Sequence, residues 1–423
     1  MKYGLNDKPD IAPLLMYGLQ WWIVSVPTIV IMGVIVGKLH YSDAAEQIFY
    51  LQKLFGIIGF SLVIQILWGH RLPLIIGPAS VLLIGILASM SASISAIYTG
   101  VFAGGILLTI IAFSGLLKKL QVLFTPRIVT VILILIAFTL TPVIINMVFG
   151  DDKHLLLNLV FALILVFALV IGNTLLRGVW KSTTVLWGVI AGSVVYYALI
   201  GFPTTSSPVN NGLIPVGVSV VNLPLTFDGG VMLAFFFCFI ALIVNELGSI
   251  QAVGHMLNAD NLTKRTRRGM GIVGLSNILS GLTGVIGPVD YSMSPGVIAA
   301  TGCASRYPLL PAGILLMACA FFPGIIGVLV NIPGAVMGTI LLYLMSSQLA
   351  AGVQMLVKEK AVDNFDSAII IGLPLMVALF VSFAPAGVIS QMPHLLRPII
   401  GNGFVMGVIT VIFLEHIIFK RKK

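Results

Sequence analysis

Glu246 and Asp290 are carboxylates set in otherwise apolar sequence, and each has small or amide-bearing polar neighbours: Asn245 and Ser249 beside the first, Tyr291, Ser292 and Ser294 beside the second. A carboxyl group at the centre of a membrane helix costs about 2.5–3.5 kcal/mol or more, so it persists where a function or a partner retains it. Two chemistries are open to such groups: accepting N–H groups of a polar solute, and taking up a proton or cation that moves with it. A protonatable Glu246 would couple solute movement to H+. The alternative for Glu246 is a structural role as partner to a backbone or side-chain group. For Asp290 it is a cap on a short helix beginning near Ser292, or a place at the external mouth. Asn245 and Ser249 lie one helical turn apart on a single face. Glu246, rotated by about 100° from Asn245, points elsewhere unless the helix is distorted.

The elements that must position these residues are interrupted ones. Ile76-Gly77-Pro78 and Ile286-Gly287-Pro288 break apolar sequence in the same way, one in each half of the chain. Non-helical backbone at membrane depth leaves N–H and C=O groups that are tolerated only where protein buries them or a polar cavity meets them. Paired Gly/Pro interruptions in two halves therefore mark a substrate site built from broken helices.

The chain has 423 residues, of which 59% are hydrophobic and 9% charged. Soluble domains carry about 25% charged residues, so this is an integral membrane protein. About fourteen apolar stretches can be placed between 12–35 and 398–418, most near the ~20 residues that cross a bilayer. They include 54–69, 72–90, 128–149, 270–283, 286–301 and 308–329. The largest polar excursions are about 36–50, 203–228 and 254–269. The net charge of +9 points to topology rather than to nucleic acid. With the N-terminus cytoplasmic, 19 of the 23 Lys and Arg residues fall inside, among them Arg71, Lys181 and the Lys264–Arg268 cluster. Both termini are then cytoplasmic, in a multi-pass protein of the plasma (inner) membrane. The 203–228 loop divides the stretches into two sets of seven, and an odd number per half inverts the second half against the first.

Other chemistry finds little support. Cys238, Cys303 and Cys319 lack metal-ligand spacing and read as small core residues. No phosphate-cradling loop, hydrolase elbow or zinc motif is present, and no nucleophile–base pair can be read, so neither an enzyme nor a cofactor is expected. The N-terminal apolar stretch is too long for a cleavable signal.

The run from Ser294 to Arg306 resembles the signature of the nucleobase/ascorbate transporters, the xanthine and uracil permeases. That signature is Gln/Glu-Asn-x-Gly, four residues, then Thr and Arg, Lys or Gly; Gly296, Thr301 and Gly302 match it. Ile332-Pro333-Gly334-Ala335-Val336-Met337-Gly338 is similar to the family's Ile-Pro-x-x-Val-x-Gly stretch, and Tyr3 to Pro9 with Gly18-Leu19-Gln20 to its N-terminal opening.

The resemblance implies an all-α polytopic fold of 14 transmembrane segments in a 7+7 inverted repeat, with short strands at segments 3 and 10. It implies a core domain from 12–118 and 229–330, a gate domain from 127–202 and 332–418, elevator-like movement of one against the other, and a homodimer. The family's substrate acceptors, a Glu in segment 8 and a Gln or Glu in segment 10, are replaced here by Asn245, with Glu246 one step along, and by Met293. Ser294 stands for the usual Asn. Tyr291 and Ser292 match an aromatic and a small position, which implies ring stacking and close backbone approach. Ala79 and Ser80 occupy the first-half break, Ser80 where Phe is common. Gln20 matches a supporting Gln, and Trp21 replaces a His or is a lipid-facing filler. The expected function is secondary active transport of a nucleobase such as uracil or xanthine, coupled to H+ or Na+ through Glu246 or Asp290. The alternative is an uncoupled facilitator or channel-like member of the same fold for a different small solute, since Asn245 and Met293 replace the expected groups.

Overall fold

The computed structural model describes residues 2–117, 125–150, 154–201, 224–291, 293–385, 387–388, 391–393 and 396–419. Apart from one pair of short strands the regular elements among these residues are helices. Their order is α1 (Ile11–His40), α2 (Ala44–Leu67), β1 (Ile76–Pro78), α3 (Ser80–Ala88), α4 (Ile94–Phe113), α5 (Pro126–Thr139), α6 (Thr141–Phe149), α7 (Leu155–Leu175), α8 (Val179–Ser182) and α9 (Thr184–Ile200). They continue as α10 (Gly229–Met256), α11 (Leu262–Thr283), β2 (Pro288–Asp290), α12 (Ser294–Thr301), α13 (Leu309–Cys319), α14 (Pro323–Val330), α15 (Gly334–Lys358), α16 (Phe365–Ser382), α17 (Arg397–Ile400) and α18 (Gly403–Phe413). Eight helical runs are long and apolar enough to cross a membrane, α5 with α6 counting as one.

Helix ends follow local chemistry. Ser93 and Thr125 accept amide N–H groups of the first turns of α4 and α5, Asp228 does so for α10, and Asn364 forms a reciprocal capping box with Ser367 at α16. Two expected spans are interrupted near proline. The 128–149 stretch divides at Leu140, just before Thr141-Pro142, and 308–329 divides at Ala320–Phe322, before Pro323. The polar excursions are shorter than their composition suggests. Of 36–50 only Tyr41–Asp43 joins two helices, and of 254–269 only Leu257–Asn261 does. Polar residues at a helix end outside the hydrocarbon remain helical, so polarity overstated loop length. Lys264–Arg268 form the opening turns of α11, while the 203–228 loop falls mostly outside the described residues.

The helices pack as two groups. In the first, α4 lies along α11 and α2 along α13, with α1 against both α2 and α13. Glycines set both crossings. A Cβ on Gly105 would stand 2.6 Å from the Ile278 nitrogen, and one on Gly59 would stand 2.6 Å from the Gly313 oxygen. Such close backbone approach is how membrane helices gain packing energy where lipid offers no hydrophobic drive. In the second group α15 packs on α5, α6 and α7, and α16 and α18 pack on α5 and on each other. Arg127 joins three elements there: its Nε donates to the Ala361 oxygen at 2.6 Å, and its guanidinium stands 3.4 Å from Glu415 and 3.6 Å from Asp363.

Arg71, Arg265 and Arg306, three of the basic residues expected on one face, lie close together at the end of α2. Arg265 Nη1 donates to the His70 and Arg71 oxygens at 3.1 Å, and Arg306 donates to the Ile66 oxygen at 3.4 Å. Outside the spans, the hydrogen bond from Arg265 holds the exposed Asp260 carboxyl below the usual carboxylate range. Trp21 is 1% exposed, which corrects the lipid-facing alternative: the ring is core. Cys238, Cys303 and Cys319 are buried thiols, as core residues would be.

Candidate functional site

The two Gly/Pro breaks meet. β1 and β2 pair antiparallel, with Ile76 opposite Asp290, Gly77 opposite Val289 and Pro78 opposite Pro288. Two prolines in so short a pair remove ladder donors, and the remaining backbone is satisfied across the junction. Tyr291 N–H donates to the Ile75 oxygen at 2.8 Å, Ala79 N–H to the Gly287 oxygen at 2.9 Å, and Ile75 N–H to Ser294 Oγ at 3.0 Å. Asn277 of α11 donates its amide to the Pro288 oxygen at 2.9 Å, and Ile286 N–H donates to the Tyr50 hydroxyl at 3.0 Å. Each strand leads directly into a short helix, α3 or α12, that has no side-chain N-cap. Asp290 therefore does not cap α12, whose N-cap residue is Met293, and it is fully buried rather than at a mouth.

Helix α10 runs behind this junction and clasps Asp290 from two sides. Ser249 Oγ donates to the Asp290 oxygen at 2.9 Å, and the Asn245 amide reaches the same oxygen at 3.4 Å. The residue between, Glu246, accepts the Asp290 N–H on Oε2 at 3.0 Å. The rotation between Asn245 and Glu246 thus places one on each side of a single peptide.

A third titratable group completes the cluster. His70 Nε2 stands 3.1 Å from Asp290 Oδ2, and Leu72 N–H donates to His70 Nδ1 at 2.9 Å. Because Nδ1 accepts, the imidazole is neutral and carries its hydrogen on Nε2. The Glu246 and Asp290 carboxyl groups face each other. A hydrogen bond between them requires a proton. Without it, Glu246 Oε1, both carboxylate oxygens of Asp290 and His70 Nε2 have no well-directed hydrogen bond among the described residues, despite the close approach of His70 to Asp290. All three side chains are fully buried. Among the described residues no group of three or more His, Cys, Asp or Glu could hold a metal ion.

In front of the strands lies a cavity of about 380 Å3, within the range of small-molecule sites. One wall comes from the first helix group: Thr28, Ala79, Ser80, Asn245, Tyr291 and Met293. Other lining residues come from the second, among them Asn173, Lys181, Tyr343 and Gln348. The Tyr291 ring crosses to β1, where its hydroxyl donates to the Pro78 oxygen at 2.8 Å. The ring occupies the space a Gly77 side chain would fill: a Cβ there would stand 2.4 Å from Tyr291 Cζ.

The sequence candidates thus separate into two layers. Ala79, Ser80, Asn245, Tyr291 and Met293 line the cavity. Glu246, Ser249, Asp290 and Ser294 are buried behind the strands. Ser292 lies outside the described residues, and Gln20 is buried in α1, away from the lining. His70, Tyr50 and Asn277 were not foreseen, nor was Lys181 as a cavity residue. His70 and Tyr50 contact the site across more than two hundred residues of sequence, and no local spacing signals that.

A pair of half-helices meeting head to head beside a cavity between two helix groups defines a membrane transport protein rather than an enzyme. A family model described as a permease family, of xanthine and uracil type, matches residues 12–387, and the chain belongs to that family. It is 24% identical to the xanthine permease of Bacillus subtilis, over 95% of this chain and 92% of that one. It is 25% identical to the nucleobase transporter PlUacP of Paenibacillus larvae (96% and 94% covered). With the uric acid permease PucK of Bacillus subtilis it shares 23% identity (99% and 98% covered). Among solved structures it is similar to the transmembrane domain of a cyanobacterial bicarbonate transporter, BicA, with a TM-score of 0.61 at 15% identity, covering 97% of this chain and 98% of that one. The murine anion transporter Slc26a9 matches with a TM-score of 0.61 at 14% identity, over 97% and 68%. These two likenesses concern the fold.

Proposed function

We propose that this protein is a secondary active permease for a nucleobase such as uracil or xanthine, carried with H+. The observation that carries the reading is the layered junction. A cavity of small-molecule size is walled by two half-helix N-termini, and a carboxyl pair is buried behind the paired strands that lead into them. Free amide groups at helix N-termini suit the carbonyl oxygens of a nucleobase, and the side chains of Asn245 and Ser80 suit its ring N–H groups. Tyr291 offers a ring face for stacking. The permease relatives support the substrate class.

Two facing carboxyls in a water-poor site repel unless a proton lies between them. In this reading the Glu246–Asp290 pair holds the coupling proton, with the neutral His70 ring lying 3.1 Å from Asp290. Because Ser249, Asn245 and Glu246 all grip the Asp290 peptide, a change of charge there shifts the strand that shapes the cavity wall. That is the link between proton and solute.

Fourteen segments in a 7+7 inverted repeat account for the packing. If segments 2 and 9 are mates, and 4 and 11, then the α2–α13 and α4–α11 crossings are images of one another, and both are set by glycines. The first helix group would be the core and the second the gate, with the cavity at the sliding interface. The cavity reaches residues near the basic ends of α8 and α15, as an inward-open state of an elevator would have it.

The competing reading is an uncoupled facilitator, favoured by one fact: no carboxylate is among the described residues that line the cavity. Uptake into proteoliposomes with and without an inward proton gradient separates the two. Coupling requires accumulation above the external concentration, lost in both Glu246→Gln and Asp290→Asn while solute exchange persists. Equal uptake with and without the gradient in the unaltered protein would leave the facilitator.

A further inference from the structure

Lys181 is the only charged side chain among the described residues lining the cavity. It lies in the short turn α8 between two helices of the second group, and that turn packs against α12. By sequence it belongs to the basic residues that set topology, whose ammonium groups sit among headgroups. In the structure it is exposed and also lines the cavity, together with Ala79, Ser80 and Met293 of the two half-helix openings. Among the described residues Lys181 makes no ion pair, whereas Arg127 and Arg265 are each paired with a carboxylate.

The rest of the wall adds to this potential. The uncapped N-termini of α3 and α12 contribute partial positive charge at the same cavity. The two carboxyls that could oppose it are buried behind the strands and do not reach the lining. With one unpaired cation, two helix N-termini and no anion among its described lining residues, the cavity is electrostatically suited to negative charge.

We infer that the solute is taken as an anion, the monoanion of an oxypurine rather than a neutral base, and that Lys181 determines this choice. The inference rests on the nucleobase reading and names its charge state. An oxypurine monoanion still offers the flat ring that Tyr291 can stack on and the carbonyl oxygens that helix N-termini can meet. Its charge resides on ring nitrogen and oxygen, where an ammonium group across the cavity can reach it. Entry of a monoanion with one proton on the Glu246–Asp290 pair moves no net charge.

The test is direct binding of two purines of similar size to the purified full-length protein at neutral pH: uric acid, a monoanion there, and hypoxanthine, which is neutral. Urate should bind more tightly than hypoxanthine. Lys181→Gln should weaken urate about tenfold and hypoxanthine by less than about twofold, the effect of removing one partly solvated charge pair. Lys181→Arg should keep urate within about threefold, since the charge remains. Equal affinities in the unaltered protein would overturn the inference while leaving the nucleobase reading in place. So would an unchanged urate affinity in Lys181→Gln, which would make Lys181 a headgroup anchor. Equal losses for both purines in Lys181→Gln would also overturn it, by showing a change of cavity shape. Failure of both purines to bind would remove the nucleobase reading and this inference together.

Discussion

The two half-helices pair as equals in backbone and differ in chemistry. The first break, from Ile75 to Ser80, presents chiefly backbone: the Ile75 oxygen, the Ile75 and Ala79 amides and the Pro78 oxygen all receive or supply bonds across the junction. The second break presents side chains, namely Asp290, Tyr291, Met293 and Ser294. Tyr291 and Ser294 reach back to bond the first break, and Asp290 reaches away from it to His70 and Glu246. An antiparallel pair fixes the relative position of two elements without requiring their side chains to match. Here one half serves as a frame and the other carries the chemistry.

The frame is where the largest effects are expected. Gly77→Ala places a Cβ 2.4–2.6 Å from three atoms of the Tyr291 side chain, two of the ring and the hydroxyl oxygen, and a ring cannot yield as a flexible chain end can. Overpacking of this kind costs about 1–3 kcal/mol. Because Tyr291 is itself cavity wall, uptake should fall by roughly tenfold to a hundredfold. Adding Tyr291→Ala to Gly77→Ala should restore thermal stability toward that of Tyr291→Ala alone, which a double-mutant cycle would read as coupling. Additive losses would show that the two breaks do not interlock as described. Gly296→Ala is the control: it lines the same cavity, but its Cβ would meet nothing within 4 Å, so stability should hardly change.

Next in size is the support behind the second break. Asn277 donates to both the Val273 and Pro288 oxygens and is fully buried. Asn277→Ala leaves the Pro288 oxygen without that donor, at a cost of about 1–3 kcal/mol in unfolding free energy. A thermal-unfolding midpoint unmoved by this substitution would mean that the junction does not depend on α11.

Much of this division could be read from sequence, for a definite reason. The paired Ile-Gly-Pro breaks are local signals, because glycine and proline act on the backbone where they stand. The separation of Asn245 and Ser249 from Glu246 is likewise local, since helix geometry fixes it. His70 was hidden because its role depends on a contact with Asp290 far along the chain, in a loop where Arg71 drew attention only as a basic residue. The cavity role of Lys181 was hidden by the same logic: near a span end a lysine reads as a headgroup anchor, and only the packing of α8 against α12 brings it to the cavity. The placement of Glu246 and Asp290 behind the strands rather than at the wall also depends on the tertiary junction, which no spacing encodes.

Met293 sharpens the comparison from the cavity side. It lines the cavity at the position where the family signature carries Gln or Glu, and a thioether is a weak acceptor with no donor. Met293→Gln supplies an amide of similar length, and one further hydrogen bond is worth about 0.5–1.5 kcal/mol. Affinity for a purine should rise by roughly twofold to tenfold. No gain, or a loss, would mean that the solute does not approach the α12 opening.

The smallest expected effect concerns the grip of α10 on the Asp290 peptide, and it distinguishes the two layers. Ser249 is fully buried and bonds the Asp290 oxygen at 2.9 Å, whereas Asn245 reaches the same oxygen only at 3.4 Å and also faces the cavity. Ser249→Ala removes the stronger of two donors to one acceptor, which keeps its second partner. The cost should stay near about 1 kcal/mol of stability, with little change in solute affinity. Asn245→Ala should do the reverse, lowering affinity about threefold to tenfold through a lost cavity-wall amide while stability barely changes. If both substitutions moved affinity alike, the buried layer and the wall would form one binding surface, and the carboxyl pair would have to be placed in contact with solute rather than behind it.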